Sequence, residues 1–507
     1  MAQGALPFKY EEEKTATGIT ALGGLLSYLD LAYVAGLSRL ADRHLAVRTA
    51  GQGWTDGEMV TALVLLNLAG GDCIEDLKVL EADEGFCRVL RKARLHGLRQ
   101  RARRQLARRW RKNKMRSVPS ASSVFRYLSA FEDHRQQALR EPGKAYIPKA
   151  NKHLRGFSKV NKDLLSFVQS NNRQATATLD MDATLLETTK KEALFCYKGF
   201  KSYHPFNTWW AEQGLVVHTE FRDGNVPAGY EQLRILKEAL ECLPKGIDKV
   251  RLRSDTAGYQ HDVLRYCETG KNGRFGRIEF AIGSDVSPQF KHAVSEVPGS
   301  GWKPLMKMVK GHEVDTGRQW AEVCFVPTAI GYSKKDPQYR YLAIREPMQE
   351  QLFLASMQDE KELPFPTMAM AGTKYKVFGI VTNMDWDGQE LIHWLYQRCG
   401  KSEHVHGEMK KDLAGGKMPS KYFGENAAWW WIMILALNLN AAMKMIVLGK
   451  AWISKRMKAI RFSLIHIPAR VLKRSRTLLV RLCRGHPALK LLLEARHKIA
   501  MLVPASS

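Results

Sequence analysis

The sequence predicts a multidomain α/β protein, in which a mixed sheet with flanking helices follows a helical N-terminal domain. Three observations carry that prediction. Hydrophobic residues make up 45% of the chain and charged residues 25%, the balance of a folded protein with a sizeable core. At 507 residues the chain is long enough for more than one domain. Its patterning also changes along the way: helical spacing at the start, β-branched and alternating runs in the middle, helical spacing again towards the end.

Taken in order, Thr55 and Glu58 form a capping box ahead of the apolar run Met59 to Leu68, and Gly70-Gly71 ends that helix. A second helix runs through Asp76, Leu77, Val79 and Leu80. Ser117 to Ser123 reads as a loop, with Ser122 or Ser123 capping a helix from Val124 to Phe131. Residues 135–170 read as a polar connector with short helices. Strands are expected over Ala177 to Thr184, Leu215 to Phe221 and Lys249 to Ser254, with a helix from Tyr230 to Leu243. Further strands are expected at Arg277 to Ile282, Ala321 to Thr328, Tyr339 to Glu346 and Tyr375 to Thr382. The apolar stretch Trp429 to Leu448 is nearly long enough to span a bilayer. Asn438, Asn440 and Lys444 interrupt it at a cost in lipid, so it is read as a buried core helix and no membrane partner is expected.

Charge narrows the choice of partner. Lys and Arg number 78 against 51 Asp and Glu, a net +27, and a polyanion relieves the self-repulsion. From Arg91 to Arg116 there is no acidic residue at all. Nucleic acid is the expected partner, with Arg103, Arg104, Arg108 and Arg109 as phosphate contacts. The eight cysteines include no C-x-x-C pair, which argues against a zinc ribbon and fits reduced thiols in the cytoplasm. Glu11, Glu12 and Glu13 close behind Lys9 do not read as a signal peptide.

Three acidic positions stand where strands or helices would deliver them to a site. In Thr178-Leu-Asp180-Met-Asp182-Ala-Thr184, alternation puts Asp180 and Asp182 on one face. Two carboxylates so placed repel unless a cation sits between them or one takes a proton. Asp255 follows the strand Lys249 to Ser254, at the end where open α/β sheets place ligand-binding groups. Asp387 and Glu390 open a helix, and if it continues, Tyr396, Glu403 and Lys410 recur every seven residues on one face. A carboxylate and a lysine two turns apart suit a metal and a phosphate respectively.

These segments together resemble a known family. Leu179-Asp-Met-Asp-Ala-Thr-Leu-Leu-Glu-Thr188, Tyr197-Lys-Gly199, Tyr203-His-Pro205, Arg222-Asp-Gly-Asn225 and Arg253-Ser-Asp-Thr-Ala-Gly-Tyr259 look like the DDE transposases of bacterial insertion sequences. The likeness is to the group named for insertion sequence thirteen-eighty. Arg398-Cys-Gly-Lys-Ser-Glu403, Met409-Lys-Lys-Asp-Leu-Ala-Gly-Gly416 and Phe423-Gly-Glu-Asn-Ala-Ala-Trp-Trp430 resemble that group's third-acid region. Glu403 and Lys410 keep the superfamily's Glu-to-Lys spacing, whereas the Tyr396-to-Arg398 and Arg398-to-Glu403 spacings are each shifted by one; Glu408 is the competing third acid.

The resemblance implies a ribonuclease-H-like fold and a transposase that cleaves DNA and transfers strands by cut and paste. It implies two Mg²⁺, replaceable by Mn²⁺, held by Asp182, Asp255 and Glu403. Asp180 either supports Asp182 or is itself the first acid. Arg398, Lys401 and Lys410 join the DNA contacts, and a homodimer at the bacterial nucleoid is expected. The domains read as 1–118 helical and basic, 119–174 connector, 175–299 first part of the core, 300–375 strand-rich insertion, 376–448 second part of the core, and 449–507 basic tail. Trp302, Trp320, Tyr332, Tyr339 and Tyr341 of the insertion are expected mostly in core packing. A DNA-binding regulator descended from a transposase is the alternative. A tyrosine recombinase, which would want an Arg, a His-x-x-Arg and a Tyr nucleophile, is the disfavoured rival.

Overall fold

Apolar Ala177, Leu179 and Met181 alternate with polar Thr178 and Asp180, all five are buried, and Thr176–Ala183 is the central strand, β1. The computed structural model describes residues 18–49, 53–108, 116–327, 337–348, 365–475 and 477–505. After β1 come β2 (Phe206–Trp210), β3 (Leu215–Glu220), β4 (Lys249–Ser254) and β5 (Glu279–Ser284). β2 and β3 add antiparallel on one side of β1, while β4 and β5 add parallel on the other. The spatial order is therefore β3-β2-β1-β4-β5. The helix Gln232–Cys242 links β3 to β4, and His261–Glu268 links β4 to β5. This is the ribonuclease-H-like sheet that the sequence leads one to expect.

The segment 300–375, expected as a strand-rich insertion, extends this sheet. β6 (Lys303–Val309), β7 (His312–Val323), β8 (Arg340–Pro347), β9 (Thr367–Met370) and β10 (Thr373–Thr382) continue it through the antiparallel pairing of β10 with β5. The result has ten strands in the order β6-β7-β8-β10-β5-β4-β1-β2-β3, with β9 on the outer part of β10. Trp302, Trp320, Tyr339 and Tyr341 are buried in its packing, and Tyr332 lies outside the described residues.

Several helices differ from expectation for identifiable reasons. Ser120, not Ser122 or Ser123, caps the helix Ala121–Leu128. The connector contains the 20-residue helix Lys152–Asn171, whose Leu154, Phe157, Val160, Leu164, Leu165 and Val168 are buried. The predicted helix through Tyr396, Glu403 and Lys410 is interrupted: Gly388–Tyr396 ends, Gly400 takes φ 77°, and a new helix runs Lys401–Gly407. The Thr55–Glu58 capping box forms as expected ahead of Asp56–Ala69.

The helix Phe423–Ala442 is buried along its whole length. With its wider-wound continuation it is long and apolar enough to cross a membrane, yet most of it lies inside the fold. Its asparagines are engaged: Asn426 bonds Tyr203 and Ser420, Asn438 bonds Val216 and Asn161, and Asn440 bonds Tyr28 and Glu408. Asn440 thereby meets the burial cost that an unpaired amide would carry. The chain beyond this helix returns to the N-terminal helices. Ile19–Thr20 pairs with Ala469–Arg474, which pairs in turn with Thr477–Arg481, and the helix Ala488–Met501 packs against Leu25–Val34.

Candidate active site

Parallel pairing of β1 with β4 sets the site. Asp180 lies opposite Arg253 and Met181 opposite Ser254, so the next step places Asp182 and Asp255 side by side at the carboxyl ends of neighbouring strands. Asp180 and Asp182 share a face but have different surroundings. Asp180 is buried, and the Arg253 guanidinium grips both its oxygens at 2.5 and 2.8 Å. Arg253 is equally buried, donates its remaining nitrogen to the Trp394 carbonyl at 2.6 Å and stacks on the Trp394 ring. This fork-to-fork pair joins β1 to β4 and to the helix Gly388–Tyr396.

Asp182, one step further out, is a quarter exposed. Arg398 approaches it at 3.6 Å and His406 at 4.0 Å, and one of its oxygens accepts from the Ala183 amide. Burial pushes the Asp182 carboxyl up to about 6; the Asp255 carboxylate adds to that rise and the Arg398 cation opposes it. Asp255 is exposed and accepts from the Ala257 amide at 3.0 Å, which closes the turn leaving β4. Burial, helped by the Lys410 and Arg398 cations, drives the His406 imidazole down to about 4. It is therefore neutral near pH 7, and its approach to Asp182 is not an ion pair.

A shallow cleft lined by Asp180, Asp182, Asn207, Trp209, Val405, His406 and Met409 adjoins these groups. Asn207 and Trp209 come from β2, a strand the sequence reading missed. His406 was missed too; its signal is its place three residues after Glu403, on the same helical face. Arg253 was quoted only as part of a motif, and its role appears only in the register that sets it opposite Asp180.

The remaining expected residues divide. Arg398, expected at DNA, is nearly buried and turned to Asp182 and the Met181 carbonyl. Glu403 is exposed in the first turn of its helix, close enough to act on Cys399, which Asp182 also acts on. Among the described residues no three His, Cys, Asp or Glu side chains stand within reach of one metal, so Glu403 is not drawn up to Asp182 and Asp255. Glu408 is buried on the opposite side, accepting from Asn440 at 3.2 Å with Lys444 at 3.9 Å. Lys410 donates to the Leu185 carbonyl at 3.5 Å. Arg103, Arg104 and Arg108 are exposed on the helix Gln100–Arg108. Arg109 and the side chain of Lys401 lie outside the described residues.

A sheet in the order β3-β2-β1-β4-β5, with acids ending β1 and β4, defines a ribonuclease-H-like protein. The chain belongs to the family described as "Transposase DDE domain group 1", which matches residues 12–504. Comparison with curated proteins gives no match. Among solved structures, the chain is similar to the piggyBac transposase in its synaptic complex with hairpin DNA. The identity there is 10%, over 87% of this chain and 80% of that one, with a TM-score of 0.41.

Proposed function

We propose that the chain is a transposase that cuts DNA at the ends of an insertion sequence and joins them to a target, in cut-and-paste fashion. The observation that carries this reading is the side-by-side placement of Asp182 and Asp255 at the ends of β1 and β4. A divalent cation fits them. Both donors are carboxylates, as Mg²⁺ prefers, and a cation offsets the burial and mutual repulsion that raise Asp182. When bound, such ions activate the attacking oxygen and steady the leaving one; two Mg²⁺, with Mn²⁺ as substitute, are proposed.

The chain's own residues prepare the site. The Asp180–Arg253 pair fixes β1 against β4, so Asp182 rather than Asp180 is free to take a ligand. Arg398 orients Asp182. Glu403 is the proposed third acid, because Glu408 is already committed to Asn440 and Lys444. Lys410, with Lys401, is proposed to hold a phosphate beside the site. The partners proposed are transposon ends and target DNA, with a homodimer in the synaptic complex acting at the bacterial nucleoid in the cytoplasm. The deciding experiment is strand cleavage of DNA carrying the element's ends, with and without Mg²⁺. A chain that binds those ends but never cuts them is instead a transposase-derived regulator.

Two further results are expected. Asp182 titrates higher folded than unfolded, so its contribution to metal-free stability is full below about pH 4 and lost as pH rises through about 6. Metal binding runs the opposite way, because the ion needs the carboxylate. Mn²⁺ affinity should climb about tenfold per pH unit towards 6 and then level off. Calorimetric titration across that window checks this, and an affinity independent of pH removes Asp182 from the ligand set. Second, changing Arg103, Arg104 and Arg108 together should weaken DNA binding and flatten its salt dependence by about 0.9 in the log–log slope per lost phosphate contact. An unchanged slope in the folded variant returns this helix to plain solvated surface.

A further inference from the structure

Tyr197-Lys-Gly199 has no part in the site as described so far, yet the fold puts it beside that site. Directly after β1 the chain makes a small three-stranded sheet: Leu186–Glu187 and Leu194–Phe195 pair on either side of Lys201–Tyr203. Between Phe195 and Lys201 it turns tightly, with Gly199 at φ 81° and its amide donating to the Cys196 carbonyl. That turn throws large rings into solvent. Tyr197 is 79% exposed and Phe195 60%, whereas Cys196 between them is buried. Aromatic surface this open is costly unless something covers it.

The charge around the rings says what covers them. The Lys198 ammonium lies 5.7 Å from the centre of the Tyr197 ring, and that of Lys201 lies 5.8 Å from the centre of the Phe195 ring. The Lys201 ammonium also donates to the Lys191 carbonyl at 2.7 Å, and Lys411 is near enough to act on Lys410. Lys198 is near enough to act on Lys410, and Lys410 bonds the Leu185 carbonyl, three residues beyond Asp182. The tip therefore lies on the Lys410 side of the segment that leaves Asp182. Exposed rings interleaved with lysines suit nucleic acid whose bases are unstacked: the rings take the bases and the ammonium groups take the phosphates.

We infer that the turn from Phe195 to Lys201 is a stacking platform for unpaired bases of the DNA strand next to the scissile phosphate. This rests on DNA being the substrate and adds that the end is held melted, not paired. Phe195 and Tyr197 each cover a base. Lys198 holds backbone without regard to pairing.

The test uses the full chain without metal and two short duplexes of one sequence, one fully paired and one with its terminal pairs mismatched and a 2-aminopurine among the unpaired bases. Wild type should bind the mismatched duplex about tenfold more tightly and quench the 2-aminopurine. Tyr197→Ala should lose most of both effects while keeping its melting temperature, since the ring touches little of the fold. Tyr197→Trp should retain them, and Lys198→Ala should weaken both duplexes alike. Equal affinity of wild type for the two duplexes overturns the platform, as does a Tyr197→Ala variant that still prefers and quenches the open end. The cleavage assay with Mg²⁺ is read separately. Wild type that cuts but shows no preference for the open end sinks the platform alone; wild type that shows the preference and never cuts sinks only the transposase reading.

Discussion

Asp182→Asn and Asp255→Asn are each expected to lower strand cleavage by on the order of a thousandfold or more, and to leave binding to DNA ends largely intact. Each removes one negative charge from the adjacent ends of β1 and β4 while keeping the shape of the side chain. Their accepted backbone bonds, from Ala183 and Ala257, can still be made by an amide oxygen, so the fold is little disturbed. Glu403→Gln belongs with them in activity. Glu408→Gln does not: it should lower stability through the Asn440–Tyr28 network before it touches chemistry. Cleavage rate, end binding and melting temperature measured on all four variants separate these outcomes. Normal cutting by Glu403→Gln together with failure by a folded Glu408→Gln would reverse the assignment of the third acid.

Asp180→Ala is expected to have the largest effect on stability, about 3–5 kcal/mol. It strands a buried guanidinium whose two bonds to Asp180 vanish and whose only other acceptor among the described residues is the Trp394 carbonyl. Arg253→Met should cost about as much from the other side, by leaving the carboxylate alone. Replacing both, as Asp180→Leu with Arg253→Met, removes the two charges together and should recover most of the loss. Urea unfolding of the two single variants and the double variant checks the cycle. Additive losses would show that the two side chains act independently. Activity in the single variants should fall along with stability, since the same pair holds Asp182 and Asp255 level.

Much of this was legible because the key strands are short and their alternation is clean. Lys249–Ser254 ends where expected, and Asp255 follows it. The split between Asp180 and Asp182 was not legible, since parity treats them alike and only the register with Arg253 tells them apart. β2 was hidden because Phe206-Asn-Thr-Trp-Trp210 lacks strict alternation, both faces of it being largely covered. In Lys152–Asn171 the apolar stripe was present at helical spacing, but Lys, Asn and Ser between its members masked it. The place of 300–375 depends on β10 pairing with β5, a contact between segments about a hundred residues apart that no local pattern announces. The break at Gly400 took Tyr396 off the face of Glu403, and a glycine there was the available clue.

The meeting of the two ends of the described chain has a bearing on biosynthesis. Ile19 is held by Arg470, the Val34 carbonyl by the Ala505 amide, and Arg39 by the Ala505 carbonyl. The N-terminal helices leave the ribosome long before the strand Ala469–Arg474 and the helix Ala488–Met501 that seat them. Until then the basic helix Gln100–Arg108 belongs to a half-built unit, and closing a loop of this length is slow. A nascent or prematurely ended chain would carry the carboxylates and the arginines without the frame that sets one against the other. The order of synthesis therefore leaves the N-terminal helices unseated until Ala469–Arg474 and Ala488–Met501 have followed.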